Sequence, residues 1–200
     1  MLTANIAVLV SGGGTNLQAL IDAQKSGILK SGKISLVISN RQDAYALERA
    51  RENSIEAVYI KNDAYFEKTL IQILNEKKID LIVLAGFLKI LSSDFVKRFD
   101  RRIINVHPSL IPSFCGDGCY GLKVHAEALK RGVKITGATV HFVNEITDGG
   151  EIIMQKAVEV RDGDAPEILQ KRVMKEAEWI ILPQSCEKVC KEIIKGGTTL

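Results

Sequence analysis

No stretch of the 200 residues approaches the roughly 20 consecutive apolar positions needed to span a bilayer. Met1 to Val10 also lacks the basic start, apolar run and small-residue cleavage site of an exported chain, so a cytoplasmic location is the expectation. Charge of one sign is not in excess either: 27 Lys and Arg against 24 Asp and Glu leave a formal +3, mixed along the whole chain. The concentrated basic stripe that tracks a nucleic-acid backbone is missing, so neither nucleic acid nor a membrane is an expected partner. Internal repeats and low-complexity linkers are absent as well, and the length suits one domain or a domain with a small appendage.

Several chemical signatures are lacking too. No spacing of His, Cys, Asp and Glu matches a catalytic zinc motif, and no serine stands in a nucleophile elbow. The four cysteines form two close pairs, Cys115 with Cys119 and Cys186 with Cys190. Their spacing can be read as zinc ligands, but the second pair falls in a late helical pattern, and free thiols in a reducing compartment are the preferred reading. No metal is expected.

What is present is an alternation of short β-branched runs and helical patterns. Strands are expected at Asn5 to Val10, Ile34 to Ser39, Ile55 to Ile60 and Asp80 to Ala85, the last apolar on both faces and hence central. Helices are expected at Asn16 to Lys25, Ala44 to Glu52 and Ala64 to Lys77, which makes a series of βαβ units and a parallel sheet. Ser92 or Ser93 can cap a short helix through Arg98, and Arg102 to Val106 reads as another buried strand. A loop from Ser113 to Gly121 precedes a helix from Leu122 to Arg131 that stops at Gly132. From Lys134 the pattern changes to two long strands, Ile135 to Val143 and Glu151 to Val160, expected to pair antiparallel. Asp164 and Glu167 fit a capping box with Pro166 in the first turn. They open a long helix that runs through Trp179 before Pro183 interrupts it. The fold class is therefore α/β, a Rossmann-like, mostly parallel sheet with flanking helices, extended by an antiparallel strand pair and a long helix.

Three constellations carry chemistry on this frame. Ser11-Gly12-Gly13-Gly14-Thr15-Asn16 follows the first strand and opens the first helix, where backbone amides and the helix N-terminus favour an anion such as phosphate; a plain tight turn is the alternative. A dinucleotide fingerprint would need glycine where Leu17 stands, and a Walker loop would need a Gly-Lys-Ser or Gly-Lys-Thr ending, so a monophosphate is the better ligand. Asn105-Val106-His107-Pro108-Ser109 ends a strand at the sheet's carboxyl edge, where open α/β sheets place ligands. Strand alternation sets Asn105 and His107 on one face, so an amide and an imidazole can converge on one oxygen. Ile146-Thr147-Asp148-Gly149-Gly150 is a turn whose glycines can bring a carboxylate into a cleft, interesting only if Asp148 has a partner. His125, in a helix, and His141, in a strand, are given supporting or structural roles.

Read in order, SGGGTNLQAL, VLAGFLKIL, NVHPSLIPSF, GATVHFVNEITDGGEII and KRVMKEAEW carry a resemblance over nearly the whole length. The chain resembles the folate-dependent formyltransferase superfamily, and within it the phosphoribosylglycinamide formyltransferases of purine synthesis. The resemblance implies a single formyltransferase domain over 1–200, with a phosphate- and ribotide-binding half at 1–100 and a catalytic, folate-binding half at 101–200. It implies Asn105, His107 and Asp148 as the catalytic trio. Gly14, Thr15 and Asn16 would hold the substrate phosphate and Glu178 the glycinamide ribotide further along. Leu88, Lys89, Ile90, Leu91, Asn105, Asn144, Glu145, Ile146, Thr147 and Asp148 would hold the pterin. His141 matches a histidine that the family keeps beneath the site.

The implied co-substrates are 10-formyltetrahydrofolate and glycinamide ribonucleotide, with no metal and no covalent intermediate. The implied mechanism has the ribotide amine attack the formyl carbon while Asn105 and His107 steady the oxyanion. Asp148 favours the protonated form of His107 and helps pass the amine proton to the folate nitrogen. Cys115, Gly116, Asp117 and Gly118 look like an insertion relative to compact relatives. An arginine that some relatives carry near Asp63 is missing, with Lys61 the nearest basic residue and no folate contact assigned to it. Related alternatives are methionyl-tRNA formyltransferase, which adds a C-terminal nucleic-acid-binding domain, and formyltetrahydrofolate hydrolase, which adds an N-terminal regulatory one. A folate- or nucleotide-binding module without catalysis is the alternative from another class. Monomer and homodimer both remain open.

Overall fold

In a computed structural model the structure describes residues 3–196. Seven strands form one sheet in the order β3-β2-β1-β4-β5-β6-β7. They are β1 Ala4–Val10, β2 Gly32–Ser39, β3 Glu56–Tyr59, β4 Leu81–Leu84, β5 Ile103–His107, β6 Ile135–Phe142 and β7 Ile152–Glu159. The first five run parallel, β6 pairs antiparallel with β5, and β7 antiparallel with β6. β4 lies at the centre and is buried at all four residues, which its uniformly apolar Leu-Ile-Val-Leu dictates.

The helices are α1 Thr15–Ser26, α2 Tyr45–Glu52, α3 Phe66–Glu76, α4 Ser93–Arg98, α5 Leu122–Arg131, α6 Pro166–Val173 and α7 Trp179–Ile194, with a π-helical turn Met174–Glu178 between the last two. Strand alternation divides the core into two layers. Ile6, Val8, Val10, Leu81, Val83, Ile104 and Val106 face one side, where they meet Leu17, Leu20 and Ile21 of α1, Leu47 of α2 and Ile181, Leu182 and Val189 of α7. Ala7, Leu9, Ile82, Leu84 and Ile103 face the other, against Phe66, Leu70 and Leu74 of α3 and Phe95, Val96 and Phe99 of α4. Strands covered on both faces, as in a parallel sheet between helices, suit such runs.

Local signals set several boundaries as expected. The Ser92 side chain accepts from the Phe95 amide at 3.2 Å and caps α4, and Gly132 ends α5 in the left-handed region at φ 75°. Two expectations fail in the late helix. The capping box does not form: Ala165 is the N-cap, and the Asp164 carboxylate instead binds the Arg172 guanidinium at 2.5 and 2.6 Å and the Arg161 amide at 2.9 Å. The guanidinium offers two charge-assisted bonds, stronger than the single amide a cap would receive. Nor does Pro183 interrupt the helix, since it lies inside α7, which continues to Ile194. The departure from α-helical geometry comes earlier, at the wide turn Met174–Glu178.

Candidate active site

From β1 the chain turns to β2 and β3 on one side of the sheet and then returns to β4 and β5 on the other, so a crevice opens beyond the carboxyl ends of β1 and β4. Ser11 ties the two edges together. Its amide donates to the Gly86 carbonyl at 3.1 Å, its hydroxyl donates to Asn40 Oδ1 at 2.8 Å, and the same oxygen accepts from the Leu88 amide at 3.0 Å. The glycine-rich loop after β1 and the segment after β4 are thus parts of one rim.

Within the glycine-rich loop, Gly14 caps α1 in the left-handed region at φ 73°, and a Cβ there would lie 2.6 Å from the Ala46 Cβ. Only glycine meets both conditions. Gly12 and Gly13 are open, with nothing within 4 Å of an added Cβ. Thr15 is the first residue of α1, and Asn16 behind it is buried, its Nδ2 donating to Glu178 Oε2 at 2.6 Å. Glu178 closes the π-helical turn 162 residues later. Burial pushes the Glu178 carboxyl up to about 6, against the opposing pull of the Asn16 hydrogen bond. The two residues that the resemblance placed at different parts of the ribotide are therefore bonded to each other.

The Asp148 carboxylate is the hub of the second cluster. Its Oδ2 lies 3.5 Å from His107 Nδ1 and accepts from the Gly116 amide at 2.9 Å. Its Oδ1 lies 3.5 Å from Asn105 Nδ2 and 3.6 Å from His141 Nε2. Burial acts to raise the Asp148 pKa, but the His141 and Gly116 hydrogen bonds and the charges of His107 and His141 outweigh it and hold the carboxyl below its ordinary value. Asn105 and His107 face this carboxylate at different oxygens, 43 and 41 residues from it along the chain. The turn explains the sequence around that group. Asp148 has φ 55°, which aspartate tolerates, and a Cβ on Gly150 would overlap the Phe142 carbonyl. Asn144 clips the turn on both sides, Oδ1 accepting from the Ile146 amide at 3.0 Å and Nδ2 donating to the Gly149 carbonyl at 3.2 Å.

His141 lies beside the cluster. It stands directly across the β5–β6 ladder from Asn105, with Nε2 and Asn105 Nδ2 3.2 Å apart and Nδ1 2.8 Å from the Phe142 carbonyl. A carbonyl can only accept, so Nδ1 carries a hydrogen; Nε2 faces both the Asn105 amide and the Asp148 carboxylate, accepting from the first when the ring is neutral and donating to the second when it is protonated. Register was the missing information: neither strand alone says which residues face each other. His125, in α5, is fully buried and neither ring nitrogen has a partner among the described residues. Burial, and then the nearby charge of His107, push it down to about 4, so it is neutral at pH 7.

The Ser113 to Gly121 loop proves to be part of the site. The Phe114 carbonyl lies 2.9 Å from His107 Nε2, and the Gly116 amide is the one bound to Asp148. Ser109 fixes the start of the loop by donating its hydroxyl to the Ser113 carbonyl at 2.6 Å. A cavity of about 300 Å³ adjoins this cluster, and every residue that the resemblance assigned to the pterin lines it, Leu88 to Leu91, Asn105 and Asn144 to Asp148, together with Gly116 to Gly121. Lys89 is steadied at its edge by Asn62, 2.8 Å away, and by the Phe66 ring at 5.2 Å. Lys61 is outside the lining and pairs with Asp63 at 3.8 Å. Among the described residues no group of three or more His, Cys, Asp and Glu side chains is placed to hold a metal ion, and Cys186 and Cys190 are buried free thiols. No described helix is long and apolar enough to cross a membrane.

The formyl transferase family model matches residues 4–185, a span that contains both clusters and the cavity. The chain belongs to the formyl transferase family. Among its relatives is a protein of Haemophilus influenzae named phosphoribosylglycinamide formyltransferase, 43% identical over 183 residues, covering 89% of this chain and 83% of that one. The human protein named trifunctional purine biosynthetic protein adenosine-3 is 41% identical over 97% of this chain, which spans 19% of its length. The crystal structure of glycinamide ribonucleotide transformylase 1 from Symbiobacterium toebii is 40% identical, with a TM-score of 0.87 over 94% of this chain and 88% of that one. The architecture predicted for a formyltransferase, a mostly parallel sheet with an antiparallel extension and a long C-terminal helical segment, is the one observed.

Proposed function

We propose that this member of the family transfers the formyl group of 10-formyltetrahydrofolate to the amine of 5-phosphoribosylglycinamide. The products are formylglycinamide ribonucleotide and tetrahydrofolate, as in de novo purine synthesis. The observation that carries the reading is the Asn105, His107 and Asp148 cluster set between an open glycine-rich loop and an apolar cavity. Gly14, Thr15 and Asn16 serve the phosphate, Glu178 the glycinamide part, and the cavity the pterin. The division of labour between 1–100 and 101–200 is then crossed twice, because Leu88 to Leu91 serve the folate and Glu178 the ribotide. A cytoplasmic setting, with small molecules as partners and no metal, agrees with this chemistry.

The amine lone pair forms a bond to the formyl carbon, and the carbonyl electrons move onto oxygen. Asn105 spends one Nδ2 hydrogen on His141; the other points toward Asp148 at a weak 3.5 Å and is free to turn to the oxyanion. His107 supplies the second donor, and the Asp148 charge 3.5 Å from Nδ1 steadies the imidazolium. Collapse breaks the bond to N10, and the proton lost by the amine passes to that nitrogen. The Phe114 carbonyl now holds His107 Nε2, so this contact gives way when the substrate oxygen takes its place.

The test follows the absorbance of the deformylated folate with a 10-formyl folate analogue, with and without the ribotide. Release only with the ribotide is expected. Release without it indicates a hydrolase, and no release leaves a binding module. His107→Ala and Asp148→Asn should each lower kcat by about 10²–10⁴ while folate binding persists. Lost binding with normal turnover at saturation would refute these roles.

A further inference from the structure

Two successive peptide groups of the glycine-rich loop are turned one way, and α2 does the turning. The Gly12 carbonyl accepts from the Ala46 amide at 3.1 Å, and the Gly13 carbonyl accepts from Arg49 Nε at 2.8 Å. Both peptides are trans, so each carbonyl and the amide it shares a plane with point in opposite directions. Drawing two carbonyls toward α2 therefore sends the Gly13 and Gly14 amides to the other side. Nothing stands within 4 Å of an added Cβ at Gly12 or Gly13, so no side chain crowds these two residues. The first amides of α1 follow directly and have no partner within their helix. Successive amides turned outward in this way make an anion cradle.

One of these two ties is backbone to backbone and survives any side-chain change. The other depends on a single residue. The Arg49 guanidinium is fixed by three contacts: Nε to the Gly13 carbonyl, Nη1 to Gln18 Oε1 at 3.1 Å, and the Tyr45 ring 5.0 Å below it. Gly13 has no side chain to restrain its own peptide, so without an external donor the Gly13–Gly14 unit is free to rotate. We propose that Arg49 is a positioning residue. It locks that peptide so that the Gly14 amide faces the phosphate of the ribotide, and it acts on phosphate recognition while leaving formyl transfer alone. The inference rests on the ribotide reading above. The planar fork is essential to the role, because a lysine ammonium cannot reach the Gly13 carbonyl and Gln18 together while lying flat on Tyr45.

The experiment compares Arg49→Lys and Arg49→Met with the parent enzyme, using the ribotide and its dephosphorylated riboside as substrates and inorganic phosphate as a competitor. Both variants should raise the KM for the ribotide about tenfold, the effect of one lost charge-assisted bond. The kcat, the folate KM and the riboside KM should stay unchanged, and the phosphate inhibition constant should rise with the ribotide KM. Parent-like behaviour of Arg49→Lys would overturn the proposal, since charge alone would then suffice. An equal KM rise for riboside and ribotide would overturn it as well, by showing a general loosening. If the Arg49 variants do not fold, Gln18→Ala decides: a phosphate-specific rise in KM supports the clamp, and its absence refutes it. Phosphate that fails to compete in the parent enzyme refutes the ribotide reading itself. Phosphate that competes equally in the parent and in Arg49→Met refutes only the role of Arg49.

Discussion

Glu178→Gln separates what this carboxyl costs the fold from what it does for a substrate. Glu178 is 6% exposed, its side chain's hydrogen-bond partner among the described residues is Asn16, and burial raises its pKa from 4.5 to about 6. A folded-state value above the unfolded one means that the carboxyl favours the fold fully below pH 4.5, and that this advantage is lost as the pH rises through 6. At pH 8 the protein therefore carries a buried carboxylate at a cost of about 2 kcal/mol, taking about 1.4 kcal/mol per pH unit over the interval. Glutamine has the same shape, keeps a carbonyl oxygen for Asn16 and has no charge to desolvate. The variant should be more stable at pH 8 by up to about 2 kcal/mol, a gain of about 4–8 °C in Tm for a chain of this size. At pH 4.5 the gain should shrink to a few tenths of a kcal/mol, roughly the fraction of the carboxyl still ionised in the unfolded chain. Thermal unfolding at the two pH values, followed by circular dichroism, reads this directly. The same variant should show a higher KM for the ribotide, whose ammonium would no longer meet a carboxylate. An equal Tm difference at both pH values, or a loss of stability at pH 8, would refute the electrostatic account.

His125→Leu should remove a low-pH weakness. The unfolded chain takes up a proton at 6.5 that the folded chain refuses down to about 4, so the parent loses about 2 kcal/mol between pH 7.5 and 5, which urea unfolding of the variant should recover. Gly14→Ala should cost about 3 kcal/mol or more through its positive φ and its collision with Ala46, whereas Gly13→Ala should unfold within about 1 kcal/mol of the parent; equal losses would contradict the packing described. A thiol reagent should modify Cys115 and Cys119 in the native protein and reach Cys186 and Cys190 only on unfolding, because burial pushes the Cys190 thiol up to about 12 and Cys186 well above its ordinary value. Fast labelling of all four would place the C-terminal pair nearer the surface.

Elements whose ends are set by local chemistry were readable in the sequence. Helix α5 begins and ends where its pattern and Gly132 place it, and β4 is central because all four of its residues are apolar. The late helix was misread because its decisive contacts are not local. Asp164 has the choice of capping a turn or meeting a guanidinium eight residues on, and the π-helical turn delivers Glu178 to Asn16 on the far side of the chain. A hydrophobic pattern records which face is buried. It does not record such a meeting of two polar groups.

The site divides along the same line. Asn105 and His107 were legible as a pair because the strand period puts them on one face, but the link to Asp148 rested mainly on resemblance, since an Asp-Gly-Gly turn carries no mark of where it will fold. What joins them is register: β6 runs antiparallel beside β5, sets His141 against Asn105, and leads into the turn that carries Asp148. The remaining contacts are made by backbone atoms, the Phe114 carbonyl, the Gly116 amide and the loop peptides held by Ala46 and Arg49. Backbone groups are the same at every residue, so the sequence shows them only indirectly, through glycines that permit the geometry and long side chains that arrive to enforce it. Arg49 is such a side chain. In its own helix it reads as an ordinary half-buried residue, and its purpose becomes visible only 36 residues away, at the Gly13 carbonyl.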